Sequence, residues 1–86
     1  MAKKHFVYIL NCGGGYLYTG YTIDLARRIY EHSRGVGSKF TRSHLPVSLV
    51  YSEVLESRSQ ALRREISIKR LPRLKKLSLI KSQRGT

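Results

Sequence analysis

Residues 5–21 read HFVYILNCGGGYLYTGY, and this stretch decides the fold. From His5 to Asn11, Phe6, Tyr8 and Leu10 alternate with Val7 and Ile9, so both faces of the segment are apolar, as in a strand covered on both sides. Gly13, Gly14 and Gly15 punctuate it, and a second strand over 16–21 follows. So short a glycine loop joins neighbouring strands as a hairpin. A loop of these three glycines puts Tyr8 opposite Gly20 and Leu10 opposite Tyr18. Tyr8, Tyr18 and Gly20 then share one face, with the tyrosines roughly 5–8 Å apart as diagonal neighbours. Two readings of that face stay open. Tyrosine packs well on strands in any case, and Gly20 leaves room beside Tyr8 for a ligand or a backbone.

Working outward, Thr22 or Asp24 can cap a helix that runs to about Arg34 and ends at Gly35. Gly35 to Pro46 reads as a loop, and Val47 to Val54 as a third strand. Ser57 followed by Gln60 has the form of a capping box and opens a helix to about Leu71. Pro72 interrupts it, and a short last helix spans about 73–81. The order β-β-α-β-α-α predicts an α+β fold, a three-stranded, mostly antiparallel sheet flanked by helices. The chain of 86 residues suffices for one domain, with a core over about 5–71.

Charge narrows the partner. There are 17 Lys and Arg against 5 Asp and Glu, a formal net charge of +12. Such self-repulsion is offset by burial or by a polyanion, and the phosphate backbone is the usual one because its neutralisation releases counterions. Non-specific ribosomal or membrane-surface adhesion is the plainer alternative. The single cysteine, Cys12, excludes an intrachain disulfide and a multi-cysteine zinc site. It fits a reducing, cytoplasmic setting. No apolar run approaches the roughly 20 residues of a membrane span.

Helical geometry, at about 100° per residue, singles out further side chains. On the first helix Leu25, Ala26, Ile29 and Tyr30 form the apolar arc. His32 lies just outside it and Arg28 a little further round, with Glu31 directed to water. Arg28 reads equally as a snorkelling arginine and His32 as a hydrogen-bonded surface histidine. On the later helix Ala61, Leu62, Ile66 and Ile68 face inward, and Glu65 falls among them. An ionised carboxylate in such a position needs a partner. Lys69, one turn on, supplies an i, i+4 pair. The other reading is a ligand for a divalent cation.

Together these residues resemble the GIY-YIG nuclease domain, and specifically the small stand-alone bacterial proteins of that superfamily. Phe6-Val7-Tyr8 stands for the first half of the name motif and Tyr18-Thr19-Gly20 for the second. Thr22-x-x-Leu25-x-x-Arg28-x-x-x-His32 follows at family spacing, and Ala61-Leu62-x-x-Glu65-x-x-Ile68-Lys69 resembles the later helix with its glutamate. Phe6 replaces the first glycine, Val7 and Thr19 replace isoleucines, and Tyr21 stands where some relatives carry lysine. Both motif tyrosines remain.

The resemblance implies a phosphodiesterase using one Mg²⁺ or Mn²⁺ on Glu65. Arg28 would stabilise charge on the phosphoryl oxygens, Tyr8 would be the general base or the relay to it, and Tyr18 would orient it. His32 would serve as a proton donor or phosphate contact. A phenol of ordinary pKa, about 10, implies an alkaline optimum. Lys39, Arg42, Arg63 and Lys69 are expected to position the nucleic-acid backbone, with Arg73, Lys75 and Lys76 as a second basic group. Nothing resembles a major-groove recognition helix. The expectation is an endonuclease acting on nucleic acid, DNA in preference to RNA although no feature separates the two, by structure or damage and not by sequence. The rival is a non-catalytic nucleic-acid-binding module that keeps the fold, and a toxin-like or mobile-element relic is a third possibility.

Overall fold

The computed structural model describes residues 3–84. The first strand, β1 (His5–Cys12), is the centre of the molecule, because β2 (Leu17–Thr22) and β3 (Val47–Leu55) pair with it antiparallel on either side. Its continuous apolar run is explained by that position. Val7, Tyr8, Ile9 and Leu10 are all at most 1% exposed, so both faces of the strand are covered. The predicted register holds, with Tyr8 opposite Gly20 and Leu10 opposite Tyr18. The Cys12 N–H donates to the Tyr16 carbonyl at 2.8 Å and so encloses the three glycines, Gly13 to Gly15, as the turn. Gly14 and Gly15 take φ of 86° and 82°, a left-handed pair that side chains resist.

Each face has its own helices. On the Tyr8 face, Tyr8, Leu10 and Cys12 pack against Leu25 and Ile29 of α1 (Leu25–Ser33). On the other face, Val7 and Ile9 pack against Ala61 and Ile68 of α3 (Arg58–Lys69), which follows the short α2 (Lys39–Arg42) in the chain, and against Ile80 of α4 (Arg73–Arg84). Asp24 caps α1 by accepting the Arg27 N–H at 3.1 Å. Ser57 caps α3 through the Gln60 N–H at 3.1 Å, while Gln60 Oε1 accepts from Glu56 at 3.2 Å, so the box closes one residue before the cap.

Three sequence expectations change. The stretch 35–46 is not all loop: it contains α2 (Lys39–Arg42), capped by Ser38. One turn of helix carries no periodicity, so sequence patterning could not expose it. The last two helices divide differently, α3 stopping at Lys69 and α4 reaching Arg84. Ile66 is 49% exposed and not core. It lies about 140° round α3 from Ala61, whereas Ile68 lies within about 20° of it, so the buried stripe is narrower than the apolar count suggests.

Gly20 has a steric reason to lack a side chain. A Cβ there would collide with the Tyr8 phenol, which therefore lies directly over β2. Gly20→Ala is expected to cost about 1–3 kcal/mol as Tyr8 is forced aside, measured by urea unfolding. An unchanged midpoint would mean that the phenol is free to move.

Candidate active site

The Tyr8 side chain is the hub. Buried on the α1 face, its Oη lies 2.9 Å from His32 Nε2. His32 is itself fully buried, and its Nδ1 lies 2.8 Å from Thr41 Oγ1 in α2. The sequence reading left His32 as a surface histidine at the edge of an arc; the structure places it inside. Two features of the 35–42 segment make this possible. Gly37 gives the imidazole space, since a Cβ there would strike its Nδ1, and Thr41 gives it a partner.

Proton directions follow from the chain of partners. The phenol proton has no other hydrogen-bond acceptor among the described residues, so Tyr8 donates to Nε2. The neutral ring then carries its proton on Nδ1 and donates to Thr41, whose hydroxyl has Ser38 as its acceptor, with Oγ at 2.9 Å and the carbonyl at 3.3 Å. Ser38 Oγ accepts the Thr41 N–H at 3.1 Å and fixes that end. Thr41 and Ser38 are site residues that sequence reasoning missed. The Ser-x-x-Thr spacing of a helix cap was their only signal.

Burial pushes the Tyr8 phenol up to about 12, and the Tyr18 and Glu65 charges add to the shift, while Arg28 beside it pulls the other way. Burial, followed by the positive charge of Arg28, holds His32 below the ordinary histidine value, so it is neutral at pH 7. Both its nitrogens are engaged, which leaves no donor for a phosphate. Tyr18 packs its ring edge-on to His32, with centroids 5.2 Å apart.

Arg28 is one-third exposed and held on two sides. It donates to Glu31 Oε1 at 3.0 Å and to the Gly37 carbonyl at 2.8 Å. Glu31 therefore does not simply face water; it accepts from Arg28 and from Arg27, at 3.3 Å. The Arg28 hydrogen bond holds its carboxyl below the usual range. The i, i+3 and i, i+4 spacings were visible in the sequence, but not that they would fix the guanidinium beside Tyr8.

Glu65 comes from the opposite helix layer. It lies about 40° round α3 from Ala61, its side chain is 17% exposed, and it pairs with Lys69 Nζ at 3.3 Å. Its helix packs on the Val7–Ile9 face of the sheet. Because the phenol lies over the edge strand β2 and α3 also packs on β2, its charge still registers on Tyr8. The i, i+4 pair weighed in the sequence is thus present. It does not exclude a cation, since a pair with a half-exposed lysine contributes little and exchanges readily. Among the described residues no three His, Cys, Asp or Glu gather as a protein-made cage. A single carboxylate does fit Mg²⁺, which keeps most of its waters and takes its remaining ligands from phosphate.

The basic residues divide. Lys39 and Arg42 are exposed on α2, next to the His32 network, and Lys69 is on Glu65. Arg63 is exposed but lies about 200° round α3 from Glu65, so the structure does not bring it to the site.

The GIY-YIG catalytic domain matches residues 4–78. A UPF0213 protein of Staphylococcus aureus is 52% identical over 80 residues, covering 93% of this chain and 98% of that protein. The solution NMR structure of the UPF0213 protein BH0048 from Bacillus halodurans is 45% identical and superposes with a TM-score of 0.60, over 91% of this chain and 83% of that one. That of protein EF2693 from E. faecalis is 37% identical, with a TM-score of 0.66 over 98% and 90%. The fold and the family match define a domain of the nuclease superfamily. The chain belongs to the GIY-YIG family, and its relatives among the UPF0213 proteins share nearly its full length.

The buried neutral imidazole has a consequence for stability. An unfolded chain protonates its histidines below about pH 6.5, while folded His32 resists, so stability is expected to fall as pH drops through that range. His32→Gln should flatten this part of the profile in urea unfolding at stepped pH. Identical slopes for the two proteins would mean that His32 takes up its proton freely in the fold.

Proposed function

We propose that this protein is a divalent-metal-dependent endonuclease that hydrolyses phosphodiester bonds in DNA, directed by structure or damage and not by sequence. The observation that carries the reading is the buried Tyr8–His32 pair, with Arg28 on one side and the Glu65 charge within electrostatic reach. A merely adhesive basic surface has no use for a neutral imidazole aimed at a buried phenol.

Arg28, locked by Glu31 and the Gly37 carbonyl, presents the rest of its fork to a phosphate and stabilises charge growing on the non-bridging oxygens. Glu65 would hold Mg²⁺ or Mn²⁺, and the ion would supply Lewis-acid polarisation of the scissile phosphate and charge for the leaving oxygen. Tyr8 takes a proton from the attacking water while passing its own to His32 Nε2. Thr41 and Ser38 keep the imidazole in the tautomer that can accept it. Tyr18 buttresses the ring. Lys39, Arg42 and Lys69 align the strand, and the remaining positive charge gathers it.

The rival, a binding module without catalysis, draws on the Glu65–Lys69 pair. Cleavage separates the two. The purified protein is expected to nick DNA with Mg²⁺ or Mn²⁺, and Glu65→Gln to reduce the rate by about 100-fold or more, with its thermal transition retained. Full activity in Glu65→Gln would remove Glu65 from the site. No cleavage of any DNA, with steeply salt-dependent binding unaffected by Glu65→Gln, would establish the rival.

The relay also changes the pH expectation. A Tyr8 phenolate acting alone, with its phenol at about 12, requires a rate that climbs through the alkaline range. Transfer to neutral His32 requires only that His32 be unprotonated. The rate of the chemical step is therefore expected to rise in the acid range and to be flat from neutrality upward. A continued climb to about pH 9 or beyond would return the role of base to the phenolate.

A further inference from the structure

Beside Tyr18 the surface becomes aromatic. Phe40 of α2 stacks on His44, with centroids 4.2 Å apart and planes 17° from parallel. His44 is pinned through Nδ1 to the Phe40 carbonyl at 2.7 Å. Phe40 also lies 6.0 Å from Tyr18, with planes 17° from parallel, and Tyr16 from the hairpin turn meets Phe40 edge-on at 5.9 Å. These rings are not core. Tyr16 is 52% exposed and Phe40 37% exposed, so an aromatic patch stands open to solvent.

The patch opens onto a pocket of about 330 Å³ lined by Leu17, Tyr18, Thr19 and Phe40 on one side and by Lys69 and Lys76 on the other. Thr19 is 4% exposed, and its Oγ1 has no hydrogen-bond partner among the described residues. Lys39 and Arg42 border Phe40 along α2. Of the five carboxylates in the chain, Glu65 is the one that pairs with a lysine of this rim. The surface therefore combines flat rings with cations on both sides. Paired bases in a duplex keep their faces stacked inside, whereas an unpaired base offers a face to rings of this kind and its phosphates to the flanking lysines.

We propose that this face holds an unpaired nucleobase of a DNA strand, stacked on the Phe40 platform with its phosphates on Lys69 and Lys76. The platform shares Tyr18 with the catalytic face and Lys69 with Glu65. This inference rests on the nuclease reading and deepens it: the site would act on DNA that exposes unpaired bases, and blunt duplex would be the poorer substrate.

The test is binding in EDTA, so that it does not depend on cleavage. The probes are a short mixed-sequence single-stranded DNA carrying 2-aminopurine and the blunt duplex of the same sequence. The native protein is expected to prefer the single strand and to quench its 2-aminopurine fluorescence. Phe40→Leu, which keeps an apolar side chain but removes the ring, should weaken single-strand binding about 5- to 100-fold and leave duplex binding little changed. Phe40→Trp should retain the preference. Tyr16→Leu, at the exposed turn, carries the same test should Phe40→Leu fail to fold. Equal affinity of the native protein for strand and duplex, or parallel losses for both in Phe40→Leu, would overturn the proposal. So would a native dimer, seen by sedimentation, that Phe40→Leu dissociates, because the face would then belong to a second copy. A preserved strand preference without cleavage of any DNA would count against the nuclease reading alone.

Discussion

The hydrogen bond between Tyr8 Oη and His32 Nε2 is the contact on which the rest of the architecture depends. It joins the central strand to α1 across a buried interface, and each end requires an exception from its neighbours. Gly20 gives up a side chain to let the phenol lie over β2, and Gly37 does the same for the imidazole. Thr41, carried on a single turn of helix, supplies the acceptor that fixes the tautomer. A buried polar chain is stabilising only when every member is satisfied. Here it runs unbroken from the phenol to Ser38.

That chain also sets the electrostatics. Burial works against ionising Tyr8 and against protonating His32, so both are neutral at rest, and the proposed proton transfer between them would require something that offsets the charge created. Arg28 and the region of Glu65 are where such compensation arrives, one from each helix layer. The two layers meet around β2 because it is an edge strand and leaves the phenol over the border of the sheet.

Much of this was legible in the sequence, for identifiable reasons. The hairpin register follows from period-two alternation and a glycine loop, both local, and it put Tyr8 opposite Gly20 correctly. Glu65 could be placed within the inner stripe of α3 because a helix of 12 residues has enough turns to define a face. Its partner Lys69 was readable by the same rule. What could not be read depends on contacts between segments. The burial of His32 is decided by Gly37 and Thr41, which lie in a stretch with no periodicity. The role of Glu31 depends on where Arg28 is directed once α1 docks. Ile66 shows the opposite failure, an apolar residue credited to the core although its angle on the helix was unfavourable.

The positive charge plays a separate part. It accounts for attraction to a polyanion but not for chemistry, and Arg63, on the far side of α3, belongs to that general field and not to the site. The central claim is that phosphate, cation and phenol converge at the β2 edge. The most direct measurement is a crystal structure with Mn²⁺ and a non-cleavable phosphorothioate oligonucleotide. The account predicts an anomalous Mn²⁺ peak on the Glu65 carboxylate, with Lys69 displaced and a phosphate facing Arg28 and Tyr8. An intact Glu65–Lys69 pair, with the metal and the phosphate bound elsewhere, would contradict it.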